Sequence, residues 1–343
     1  MTFLRGIFVN NILIVAPAWV GDMVMAQSLF IRLKQKYPDC QIDVIAPQWT
    51  LPLVARMPEI NKAIEMPLAR GKLGLIERIQ LGKKLRTKQY TQAILLPNTW
   101  KSALTPFFAN IPKITGYLGE MRYGLLNDIF QLDKQRLTQT VQRFVALADE
   151  NKSPQTPPKC PAPKLIVLAE NQKTVLNKFQ LNTHQKILAL CAGAEYGEAK
   201  RWSIAHFAEV AKQKLKENWQ VWLFGSPKDM KVTAQINQMT ENRCMDLAGK
   251  TNLVEAVDLL SLANAVISND SGLMHVAAAL DRNLIAIYGS SDPKFTPPLN
   301  PKAKIISLNL ECSPCFKREC PLKHTRCLTE ISPQSILAEL ELL

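Results

Sequence analysis

No apolar run in this 343-residue chain reaches the ~18 residues needed to cross a bilayer. The longest candidates, such as Lys186 to Ala192, have the length of a strand. No Gly-x-Gly-x-x-Gly follows the first apolar run, where Ala18-Trp19-Val20-Gly21-Asp22 stands instead, so a dinucleotide-binding dehydrogenase is disfavoured. A Gly-x-x-x-x-Gly-Lys-Ser/Thr segment is missing too, which argues against a P-loop kinase or ATPase. With no short repeat, a solenoid is not expected. Arg5 precedes a short apolar patch that Asn10 and Asn11 interrupt, and without a small-residue cleavage site a secretory signal is not expected. Cysteine is present eight times, but Cys40, Cys160, Cys191 and Cys244 are scattered through a large chain and do not form a disulfide framework. The compartment reads as cytosolic.

What is present is a globular composition, 47% hydrophobic and 21% charged, with length enough for two domains. The net charge is +13. Residues 1–150 hold 19 Lys and Arg against 11 Asp and Glu, so the excess leans to the first half. Its dense part is Lys83-Lys84-Leu85-Arg86-Thr87-Lys88, either a solvated helix end or a contact for an anionic partner.

Short apolar runs alternate with amphipathic stretches, the pattern of a doubly wound parallel sheet. The first half predicts strands over 12–16, 41–46, 62–66, 92–96 and 113–117. Five prolines within residues 151–163 then make a stiff linker. The second half predicts strands over 186–191, 220–224, 245–247, 265–268 and 283–288, with a further one over 304–308. Two Rossmann-like domains follow: residues 1–160 and 161–330, with a last helix in 331–343 that has the option of crossing back to the first domain.

Strand-to-helix exits carry the chemistry. Ala265-Val266-Ile267 runs into Ser268-Asn269-Asp270-Ser271-Gly272-Leu273-Met274-His275. A strand ending at a capped helix start offers N–H groups and the positive end of a helix dipole, which suit a diphosphate. His275 taken alone reads as a satisfied helix histidine. In the first half, 12–15 runs into Trp19-Val20-Gly21-Asp22. Asp22 is either a first-turn carboxylate or a general base at the carboxyl edge of the sheet, where open α/β sheets bind ligands. Gly193-Ala194-Glu195-Tyr196-Gly197 leads to Lys200-Arg201-Trp202, a basic pair beside a turn that suits a phosphate leaving group or is merely solvated. Gly225 to Asp229 and the weaker Gly249 segment form similar exits, as turns or as walls of a nucleotide site. Cys312, Cys315, Cys320 and Cys327 lie within sixteen residues. Their uneven spacing favours packed reduced thiols over zinc.

Taken together, Pro17 to Val24, Gly193 to Trp202, Asn269 to His275 and Cys312 to Pro321 resemble the lipopolysaccharide heptosyltransferases, an inverting family with the GT-B fold, in which two Rossmann-like domains face a cleft. The resemblance covers nearly the whole chain. It implies ADP-L-glycero-D-manno-heptose as donor and a heptosyl-Kdo-lipid A acceptor at the cytoplasmic face of the inner membrane. It maps a catalytic aspartate onto Asp22, a phosphate-binding lysine onto Lys200 and an ADP-binding segment onto Asp270, Ser271, Gly272 and His275. Gly193, Ala194, Arg201, Gly225, Asp229, Gly249 and Leu273 join the donor side; Trp19, Lys83, Lys84, Arg86 and Lys88 join the acceptor side. The loop at Gly193-Ala194 lacks a threonine pair and so is similar to enzymes that add the second inner-core heptose rather than the first. No Asp-x-Asp motif marks the nucleotide site, so Lys200 and the helix start at Ser271 stand in for a divalent ion, and no cofactor is expected. Two readings compete: a sugar-nucleotide 2-epimerase using the same fold, and a basic nucleic-acid binder, against which no nucleic-acid module is recognisable.

Overall fold

The computed structural model describes residues 11–68, 71–152 and 155–343. The N-terminal patch around Arg5 lies outside them. The chain divides into two compact units, Met1–Pro163 and Lys164–Leu343, so the division falls at the end of the proline-rich segment.

The first unit runs β1 (Asn11–Val15), α1 (Val20–Lys36), β2 (Gln41–Pro47), α2 (Leu51–Val54), β3 (Lys62–Met66), α3 (Leu75–Leu85), β4 (Gln92–Leu95), α4 (Leu104–Phe108), β5 (Lys113–Tyr117), β6 (Asp128–Phe130) and α5 (Thr140–Ala146). Its six strands lie in the order β3-β2-β1-β4-β5-β6, and every named pairing is parallel. Central strands of a parallel sheet are covered on both faces, which is why β1 reads as an unbroken apolar run with Ile12 to Val15 buried. The 17-residue α1 buries Met23 to Phe30 and packs on α5.

The second unit runs α6 (Ala169–Lys178), β7 (Ile187–Cys191), α7 (Ile204–Lys216), β8 (Gln220–Phe224), α8 (Met230–Met239), β9 (Met245–Asp246), α9 (Leu253–Leu260), β10 (Ala265–Asn269), α10 (Gly272–Ala279), β11 (Asn283–Ile287), β12 (Lys304–Ile306), α11 (Arg326–Thr329) and α12 (Pro333–Glu341). Its sheet has the order β12-β11-β10-β7-β8-β9, again parallel. The two units therefore share one winding. In each, the order reverses beside the first strand, between β1 and β4 and between β7 and β10, and ligands of open α/β sheets bind at the carboxyl ends of such strands. The last helix, which the sequence left free to cross back, packs on α7 and β11 of its own unit and places Ile336 and Leu340 in that unit's core.

Candidate active site

In the first unit a cavity of about 440 Å³ opens at the carboxyl edge, lined by the exits of β1, β2, β3 and β4. Asp22, in the first turn of α1, and Trp19, its N-cap residue, both line it. Trp49 donates its indole N–H to the Ala18 carbonyl at 3.0 Å and so pins the loop that presents them. Among the described residues, four cations share the lining with Asp22: Lys72, Arg78, Lys101 and Arg143. Three of them tie down the surrounding loops through carbonyls. Arg78 Nε donates to Leu73 at 2.8 Å, Lys101 Nζ to Gly71 at 3.3 Å and Arg143 Nε to Leu137 at 2.9 Å. Burial pulls the Arg78 and Arg143 guanidinium groups below the usual arginine range. Arg122 is fully buried and donates to the carbonyls of Pro97, Thr99 and Tyr117 and to Ser102 Oγ. It thereby fixes the β4 exit, whose Pro97 to Thr99 form part of the cavity wall.

The basic run at 83–88 is elsewhere. Lys83 and Lys84 end α3, and Arg86 and Lys88 sit in the turn leading into β4, so all four lie at the amino edge of a parallel sheet, opposite the edge that bears the cavity. Arg86 is bound to structure there: its Nε donates to the Phe108 carbonyl at 2.8 Å. These residues do not meet Trp19 or Asp22; the described cations that do share the cavity with them are Lys72, Arg78, Lys101 and Arg143. Lys72 and Arg78 come from the stretch leading into and opening α3, and Lys101 and Arg143 from two others, so no single run announces the set.

In the second unit the predicted donor residues do converge. Asn269, at the end of β10, accepts the Trp202 backbone N–H at 2.9 Å and donates to the Ala192 carbonyl at 2.8 Å, joining the β7 and β10 exits. Across that junction Lys200 Nζ lies 2.5 Å from Asp270 Oδ2, with both side chains largely buried. Ser271 is the N-cap residue of α10 but its side chain makes no capping bond. Gly272 and Leu273 open the helix. His275, one turn in, is buried, and desolvation pushes its imidazole down to about 4, Asp270 opposing and Lys200 assisting. It is a neutral ring at pH 7.

Arg201 reaches Asp229 at 3.7 Å. Asp229 accepts the Ser226 N–H at 2.9 Å and its hydroxyl at 2.7 Å. A Cβ on Gly193 would stand 2.4 Å from the Asp229 carboxyl carbon, so only glycine admits this approach. Ala194 beside it is buried. Gly249, with φ +68°, donates its N–H to the Gly225 carbonyl at 3.0 Å, which brings the β8 and β9 exits together. Sequence reasoning missed Ser290 and Ser291, just beyond β11. Both are buried, their hydroxyls have no partner, and Ser290 N–H donates to the Ala199 carbonyl next to Lys200. Two hydroxyls at a strand exit were the signal available. Buried hydroxyls of this kind are costly unless a ligand or water satisfies them.

Cys312, Cys315, Cys320 and Cys327 are free thiols. Among the described residues, no three or more His, Cys, Asp and Glu side chains gather in an arrangement that holds a metal ion. Their segment is bonded to the β11 exit: Ser313 Oγ donates to the Gly289 carbonyl at 2.5 Å, and the Phe316 N–H to that of Ser290 at 2.7 Å.

The pattern of glycosyltransferase family 9 (heptosyltransferase) matches residues 78–326. Lipopolysaccharide heptosyltransferase 2 of Salmonella typhimurium is 47% identical, over 96% of this chain and 97% of that protein. Its Escherichia coli namesake is 47% identical, over 97% and 98%. The solved structure of the E. coli ADP-heptose lipopolysaccharide heptosyltransferase II superposes with a TM-score of 0.86 at 44% identity, covering 97% of this chain and 98% of that one.

Proposed function

The chain belongs to glycosyltransferase family 9, the heptosyltransferases, and from that premise we propose the reaction and the role of each group in it. The enzyme transfers a heptosyl residue from ADP-L-glycero-D-manno-heptose to the first heptose of a heptosyl-Kdo-lipid A acceptor, the second-heptose step of inner-core synthesis. An acceptor hydroxyl attacks the anomeric carbon of the donor sugar, Asp22 takes the hydroxyl proton, and the bond from that carbon to the diphosphate oxygen breaks with inversion. ADP departs carrying the charge. Lys200, the backbone amides at the start of α10 and the neutral His275 are the groups suited to stabilise it.

The observation that carries this assignment is the contrast between two equivalent switch points. One sets a carboxylate among four cations in a cavity large enough for sugar rings; the other sets a buried lysine–aspartate pair at a helix start. The cations suit an acceptor bearing acidic groups. Around the cavity segments lie exposed Leu73, Leu75 and Ile76, beside Lys72. Among the described residues no helix is long and apolar enough to cross a membrane. We therefore place the enzyme at the cytoplasmic face of the inner membrane as a peripheral protein, with this rim toward the lipid.

Incubation with ADP-heptose and acceptors of stepwise length, followed by mass spectrometry, tests the reading. One heptose is added to the acceptor that already carries one. Mass gain on Kdo-lipid A instead would make the enzyme a first-heptose transferase, and ADP release or sugar epimerisation without acceptor would make it an epimerase.

A further inference from the structure

The loop that carries Lys200 is gripped by an aromatic ring. Two cations lie over the Tyr196 ring, with Lys200 Nζ 5.1 Å and the Arg318 guanidinium carbon 5.4 Å from its centroid. Its hydroxyl donates to the Phe316 carbonyl at 2.8 Å. The backbone repeats the link: the Ala199 N–H donates to the Arg318 carbonyl at 3.0 Å. Gly197 runs so close to this segment that a Cβ there would stand 2.3 Å from the Arg318 carbonyl oxygen. Lys200 is thus held by a carboxylate at 2.5 Å and by the face of an aromatic ring.

These two holds act differently when a diphosphate arrives. Asp270 competes with phosphate oxygens for the ammonium, because both are anions. The ring does not compete; it attracts the cation through its quadrupole and leaves the N–H groups free to turn. We propose that Tyr196 is a positioning residue for the donor: its ring keeps the Lys200 ammonium at the site while the N–H donors pass from Asp270 to the diphosphate. The proposal rests on the reading of Lys200 as a diphosphate ligand. The ring alone performs this task, and the hydroxyl only fastens it to Phe316.

Isothermal titration with ADP and with adenosine, alongside steady-state kinetics, tests the proposal. Tyr196→Phe keeps ADP affinity and donor KM within about twofold. Tyr196→Leu, and Tyr196→Met as a second ringless variant, weaken ADP binding roughly tenfold, as the loss of a partly desolvated cation–π contact does. Adenosine binding, which involves no diphosphate, stays unchanged; an equal loss for both ligands would mean a general disturbance of the site and overturn the proposal. In a Lys200→Ala background the ring substitution costs nothing further, since the cation it holds is gone. An undiminished effect there, or no effect of losing the ring in the wild-type background, also overturns it. If Lys200→Ala itself leaves ADP affinity intact, the reading of Lys200 fails, an outcome distinct from failure of the ring's role alone.

Discussion

Asp22 and His275 show how far one residue's surroundings set its chemistry. Asp22 stands in the first turn of α1 and lines the cavity. If it takes the acceptor proton, Asp22→Asn lowers turnover by at least ~100-fold, the low end for loss of a general base. On the proposed reading ADP binds the other unit, and its affinity is expected to be unaffected. Near-normal turnover of the folded variant would reduce Asp22 to a helix-start carboxylate. His275 acts through burial. Its folded value, pushed down to about 4, lies below the ordinary 6.5, so the unfolded chain takes up the proton first as pH falls. The stability it confers is complete above pH 6.5 and declines between there and pH 4, by about 3 kcal/mol at most. Urea unfolding across that range therefore gives a steeper pH slope for the wild type than for His275→Gln. Parallel slopes would show that the imidazole is solvated or paired in the native state.

At the scale of elements, the direction of the chain through a parallel sheet decides which loops share a site. Every strand-to-helix exit falls at one edge and every helix-to-strand return at the other. The run 83–88 belongs to a return, between α3 and β4, whatever its charge. Neutralising Lys83, Lys84 and Lys88 together, with Arg86 spared because it anchors Phe108, leaves acceptor KM within about twofold, as expected of exposed surface charges. Neutralising Lys72 and Lys101 raises acceptor KM at least ~10-fold, the scale of one charge-assisted contact. The reverse ranking in steady-state kinetics would move the acceptor to the amino edge.

Across the whole molecule, a net charge of +13 favours association with anionic surfaces, and salt screens it. Binding to vesicles of anionic phospholipid, followed by sedimentation, weakens as salt rises from about 50 to 500 mM, over which the Debye length shrinks severalfold. Binding to neutral vesicles is slight at either concentration. Equal binding to both would leave the exposed Leu73, Leu75 and Ile76 as the sole attraction. The same scale also sets what can distinguish the two units. Their sheets share one strand order, so the distinction lies in what each exit loop carries.

The alternation of apolar runs with amphipathic stretches marked eleven of the strands, β12 included, because buried parallel strands and the amphipathic stretches between them leave periodic signatures that survive without tertiary context. The short elements escaped: β6 has three residues, and α2 and α11 four each, too few for any period. That Asp22, Lys200, Asp270 and His275 lie toward the carboxyl edge was legible, since each follows the end of a strand, in its exit loop or at the start of the next helix, and chain direction alone puts such positions there. The cavity's cations, Arg122 beneath its wall, the orphaned hydroxyls of Ser290 and Ser291 and the ring of Tyr196 beside Lys200 were not. The lining that gathers the four cations, the hold of Arg122 on the β4 exit, the approach of Ser290 to Ala199 and the fastening of Tyr196 to Phe316 and Arg318 all join segments distant in sequence, and only the folded sheet brings those segments within reach.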